Sequence, residues 1–150
     1  MIELMALDQA AFSCALAEAE DSFSEGGIPV GATLACHSQV IASAHNQRVQ
    51  QGDPIAHGEM ACIRKAGRRR DYGGMTLYTT LSPCEMCRGA ILLFGIPRVI
   101  VGEATTFAGD LEYLRSRGVE VLVLDDLACI GLMKQFQTQH PDIWREDIGQ

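Results

Sequence analysis

A three-layer α/β/α sandwich built on a mixed sheet is the fold class this sequence predicts, and three observations carry the prediction. Helical and extended stretches alternate along the chain. Two short early strands read as a hairpin, whereas the later strand–helix–strand order implies parallel pairing through crossovers, with helices on both faces of the sheet. The 150 residues hold no internal repeat, low-complexity tract or dividing linker, so a single domain over 1–150 is expected. A chain of this length buries roughly 70% of its unfolded surface.

Taken in order, residues 8–24 place Phe12, Ala15, Leu16, Ala19 and Phe23 at helical spacing, and Gly26-Gly27 ends that helix. Residues 30–36 and 39–44 are the expected hairpin. A helix opens near His57 after Pro54 and fades at Gly67 and Gly73-Gly74. Residues 75–80 form a strand. Ser82 then reads as an N-cap, Pro83 as the first helical residue and Glu85 as the capping-box partner of a helix ending near Gly95. Residues 98–102 form a strand, residues 111–117, 119–124 and 127–139 continue the alternation, and 121–124 is expected to be a final buried strand.

Composition narrows the function classes. No apolar run is long enough to span a bilayer. With no secretory leader at the start, the six cysteines are expected to stay free thiols in a reducing, cytoplasmic setting. Cys14, Cys36, Cys62 and Cys129 are expected to be small core residues. The net charge of −7 argues against nucleic acid as a partner, because such affinity rests on Lys and Arg. The local cluster Arg64, Lys65, Arg68, Arg69 and Arg70 is expected to complement a helix C-terminus.

Two motifs carry chemistry: His57-Gly58-Glu59, and Pro83-Cys84-Glu85-Met86-Cys87. One imidazole and two thiols suit a tetrahedral zinc site that keeps its fourth position open. H-x-E followed by P-C-x-x-C is the pattern of zinc-dependent nucleobase deaminases, in which the glutamate moves protons and does not bind metal. Cys84 falls in a first helical turn, where free backbone N–H groups and the helix dipole favour a thiolate. His57 and Glu59, two apart, do not share a helix face, which suits a ligand and a separate proton carrier. Alone, Cys-x-x-Cys also fits a redox pair, buried thiols, or half of a closed structural site with His37, His45, Cys36 or Cys62 as fourth ligand; a structural zinc would leave Glu59 without a role.

Together with Gly27-Ile28-Pro29-Val30-Gly31, His45-Asn46, Thr79-Thr80-Leu81-Ser82 and Trp144-Arg145-Glu146-Asp147-Ile148-Gly149, these motifs make nearly the whole chain resemble the fungal-type cytosine deaminases, of the cytidine deaminase-like superfamily. The resemblance implies a five-stranded sheet between helices, one Zn2+ per subunit held by His57, Cys84 and Cys87, and a homodimer. It implies a free nucleobase as substrate, cytosine first, with isocytosine and guanine as competitors. A tRNA adenosine deaminase and a structural-zinc protein are the rival readings. Zinc-held hydroxide is then the nucleophile and Glu59 the catalytic proton shuttle. Asn46 and the Gly58 N–H would bind the base edge, Phe107 and Trp144 cover its face, Ile28 pack on the opposite edge, and Asp147 stand near the exocyclic amine. Without the resemblance, Asn46 reads as a turn residue and Asp147 as a solvated surface group. Thr106, Arg145 and Ala56 depart from the family pattern around the lid. The C-terminal segment is expected to act as a gate.

Overall fold

The computed structural model describes residues 4–37 and 39–150. β1 (Gly31–Cys36) pairs antiparallel with β2 (Gln39–His45) as the hairpin, and its other edge pairs antiparallel with β3 (Met75–Leu81). β3, β4 (Arg98–Glu103) and β5 (Glu120–Val123) run parallel, giving a five-stranded sheet in the order β2-β1-β3-β4-β5. The mixed sheet thus divides where expected, between hairpin and crossover strands.

Strand alternation sorts the helices into layers. Leu34, Leu77, Val99, Val101 and Val121 point to one face, against Cys62 and Ile63 of α3 (Gly58–Ala66), Ala90 and Ile91 of α4 (Glu85–Phe94), and Leu114 of α5 (Leu111–Ser116). Ala35, Tyr78 and Ile100 point to the other. They meet Ala11, Phe12 and Ala15 of α1 (Ala6–Ser24) and Cys129 of α6 (Leu127–Gln139). The period of two in each strand therefore builds both cores. Gly31 marks the closest approach: a Cβ there would stand 2.1 Å from the Ala15 carbonyl oxygen, so only glycine lets α1 lie on the start of β1.

Several details differ from the sequence reading. Two short helices were not foreseen, α2 (Arg48–Gln51) and α7 (Pro141–Asp147), the latter opened by a proline at its first turn. Helix α4 starts at Glu85 with Cys84 as N-cap, two residues later than expected. The Ser82 hydroxyl instead donates to the Ala108 carbonyl, at 2.8 Å. β5 lies at the sheet edge, and only Val121 in it is buried. Cys62 and Cys129 are buried, but Cys14 and Cys36 are only partly so.

His45, one of the possible fourth ligands of a closed site, instead lies between two carboxylates, with Nδ1 2.5 Å from Glu18 and Nε2 2.9 Å from Glu25. Burial pulls its pKa down, but the hydrogen bonds to Glu18 and Glu25 outweigh it, and the net shift is upward. A folded-state pKa above the unfolded value of about 6.5 means stability that is complete below that pH and is lost as pH rises through the folded pKa. Thermal melts from mildly acidic to alkaline pH are expected to fall more steeply for this chain than for His45→Gln. Parallel slopes would remove His45 from the pH dependence.

Candidate active site

Two helix N-termini converge on one point. His57 is the N-cap of α3 and Cys84 the N-cap of α4, both with extended backbone, and Cys87 follows in the first turn of α4. Their donor atoms lie within 4.8 Å of one another. His57 Nδ1 stands 3.4 Å from Cys84 Sγ and 3.9 Å from Cys87 Sγ. Tetrahedral zinc, with bonds of about 2.0 Å to nitrogen and 2.3 Å to sulfur, spaces such donors by roughly 3.5 to 3.8 Å. The three residues fit that ion. No fourth ligand joins them among the described residues. His45 is held by glutamates and the Cys62 thiol faces the Ala42 carbonyl, so the arrangement is that of an open site.

The electrostatics match a cation site. Cys84 is pulled down to about 4, chiefly by the Cys87 thiol hydrogen-bonded to it, then by His57, against the opposing effect of burial. Cys87 is correspondingly raised, by the Cys84 thiolate and by burial. Burial would lower His57, yet Asp147 and Cys84 raise it to about 10. Glu59 is 3% exposed and lies outside the donor cluster. Burial first, and the Cys84 charge second, push it up to about 7, where a carboxyl group both takes and gives protons.

Around this centre, Val30, Asn46, Leu81, Ser82, Phe107, Trp144, Asp147 and Ile148 close a cavity with His57, Glu59 and Cys84, of at most about 300 Å3 with its mouth included. Phe107 and Trp144 meet edge to face, their ring centroids 6.4 Å apart. Asn46 makes a local turn and also lines the cavity. Its side-chain carbonyl accepts the Arg48 N–H at 2.9 Å, a local turn, while its amide donates to the Asp147 carboxylate at 3.3 and 3.4 Å. Asp147 is no solvated surface group. It is 8% exposed and reaches His57 Nε2 at 3.2 Å, on the imidazole nitrogen opposite the one facing the thiols. Ile28 is set back from the cavity in the apolar cluster behind Trp144, and Val30 takes the lining position.

Val30, Leu81, Ser82 and Ile148 lie inside the quoted motifs, but the sequence assigned none of them to the cavity wall. For Val30, Leu81 and Ser82 the available signal was their place at strand ends leading into the site.

Gly58 lies where α3 meets β1: a Cβ on it would come within 2.9 Å of the Val30 carbonyl oxygen. Gly58→Ala is expected to destabilise the fold by about 1–3 kcal/mol, the usual cost of overpacking, and to displace His57 and Glu59 on either side. Denaturant melts together with zinc content would check both effects; an unchanged midpoint would show that β1 yields freely.

Comparison with known proteins agrees with this geometry. Residues 5–103 match the cytidine and deoxycytidylate deaminase zinc-binding region. The chain is 45% identical over 146 residues to the cytosine deaminase of Candida albicans, spanning 95% of this chain and 97% of that protein. It is 43% identical over 89 residues to the tRNA-specific adenosine deaminase of Aquifex aeolicus, 57% of this chain and 59% of that one. Among solved structures, a tRNA:A34 deaminase is 28% identical and superposes with a TM-score of 0.70, covering 79% of this chain and 100% of that one. The guanine deaminase of Nitrosomonas europaea shares the fold, with a TM-score of 0.74 at 20% identity over 91% of this chain and 87% of that one.

Proposed function

The chain belongs to the cytidine and deoxycytidylate deaminase zinc-binding family, and we propose that it hydrolyses cytosine to uracil and ammonia as a zinc-dependent deaminase of free nucleobases. One observation carries the choice of substrate class. The likeness to a cytosine deaminase runs nearly end to end, and in this chain the C-terminal Trp144 and Asp147 help close the cavity. A cavity lined by two aromatic rings suits a flat base.

His57, Cys84 and Cys87 hold the zinc. When bound, it supplies Lewis acidity that lowers the pKa of water toward about 7. Glu59 takes a proton from the attacking water and passes it to the ring nitrogen beside the amine-bearing carbon. It then carries the second water proton to the departing amine, leaving uracil and ammonia. Asn46 and the Gly58 N–H fix the base edge, Phe107 and Trp144 cover its face, and Asp147 receives the exocyclic amine while orienting His57. Ile28 backs the cavity wall.

The chain is further proposed to act as a single domain, as a homodimer, in the cytoplasm. Leu93 and Phe94, exposed at the end of α4, offer such a dimer an apolar surface. Among the described residues no helix is long and apolar enough to cross a membrane.

Ammonia release from cytosine, isocytosine, cytidine, adenine and guanine, assayed in parallel with the zinc-loaded protein, tests the proposal. Turnover of cytosine is the expected result. Preference for another base would place specificity in Ala56, Thr106 and Arg145, and inactivity on every free base would overturn the reading.

A further inference from the structure

We propose that Glu103 is a positioning residue for the base-covering Phe107. The inference rests on the reading of the cavity as a nucleobase site. Glu103 closes β4 and is fully buried. Its Oε2 accepts the backbone N–H groups of Thr105 and Thr106, both at 2.8 Å, while its Oε1 has no partner among the described residues. Burying a carboxyl group with one oxygen unpaired costs free energy, and an apolar side chain would pack there without that cost. What the carboxyl group adds is a fixed course for the backbone just before Phe107.

The exit of the same loop is fixed as well. The Ser82 hydroxyl donates to the Ala108 carbonyl at 2.8 Å, and Gly109, at φ +60, passes so close that a Cβ would stand 2.5 Å from Ser82 Oγ. Ser82 is in turn joined to Glu103 by its own N–H, which donates to the Glu103 carbonyl at 2.9 Å. Phe107 therefore sits on a short loop clamped at both ends by two residues bonded to each other, and it is aimed at Trp144. Glu103 holds the entry, on the side where Thr106 departs from the family pattern. It lines no part of the cavity, and its side chain holds only Thr105 and Thr106, so the effect of that side chain on the base passes through the loop that carries Phe107.

The test is a double-mutant cycle in the full-length, zinc-loaded enzyme: Glu103→Ala, Phe107→Leu and the pair, with Glu103→Gln as the conservative variant. The substrate is whichever free base the parent deaminates. Glu103→Ala is expected to raise KM about tenfold, within the reach of one base–aromatic stack, with kcat and zinc content changed far less. Glu103→Gln should stay near the parent, since its amide oxygen accepts the same two N–H groups. The double variant should be no weaker than Phe107→Leu, because both changes act through one side chain. Losses that multiply would overturn the proposal. Trp144 is the only tryptophan, so acrylamide quenching of its fluorescence gives a readout independent of turnover: Glu103→Ala should expose it, and unchanged quenching would count against the proposal. If the alanine variant does not fold, Glu103→Asp, which draws the carboxyl group back by one methylene, takes its place in the cycle. A parent that deaminates no base would defeat the functional reading, while the quenching comparison would still decide whether Glu103 sets the loop.

Discussion

Glu59→Gln is expected to keep zinc and to lower kcat by about 10²- to 10⁴-fold, the usual contribution of a positioned general acid–base. The physical case lies in what the substitution spares. Glu59 is not among the three donors that cluster for the metal, and glutamine matches it in shape, so metal affinity has no reason to fall. What disappears is a carboxyl group that burial, and then the neighbouring thiolate, raise to about 7. An amide cannot accept a proton from water and return it to a ring nitrogen or a leaving amine. Ammonia release at saturating base, together with zinc analysis of the same preparation, checks both halves. Turnover within a few-fold of the parent would rule out the proton-carrying role. Loss of zinc with loss of turnover would recast Glu59 as part of the metal site.

The ease with which this site could be read from the sequence has a physical basis. Metal chemistry demands particular atoms, and helix starts have recognisable spelling, so His57, Cys84 and Cys87 could be named from one dimension. Both ligand-bearing segments turned out to begin helices. The start of α4 was misplaced because Ser82-Pro83-x-Glu85 imitates a capping box, while the Ser82 hydroxyl is committed to Ala108, 26 residues on. Contacts of that kind have no local signature. The same holds for His45, whose partners Glu18 and Glu25 lie on and just after α1, and for Glu103, whose importance lies in the two backbone N–H groups it accepts. The hairpin and the three parallel strands were legible because strands covered by helices on both faces read as short apolar runs, and the strand–helix–strand order fixes parallel pairing. Helices of four and seven residues, α2 and α7, are too short for periodicity to announce them.

Deleting the residues after Pro141 is expected to reduce kcat/KM by more than about a hundredfold, because it removes an aromatic cover worth about 1–3 kcal/mol to a stacked base along with the group that orients a metal ligand. The sequence alone suggests a gate whose loss impairs base binding more than zinc content. The contact of Asp147 with His57 Nε2 at 3.2 Å changes that expectation. Removing the partner of a ligating imidazole typically costs about 10- to 100-fold in metal affinity or activity. The truncated enzyme should therefore yield zinc to a competing chelator sooner than the parent does. Two point variants separate the contributions. Trp144→Ala should raise KM with zinc affinity unchanged, whereas Asp147→Ala should weaken zinc binding and lower kcat together. Truncation that alters KM alone, with chelator competition identical to the parent, would show that Asp147 serves the base and not the metal. Unchanged kinetics would show that α7 covers nothing the reaction needs.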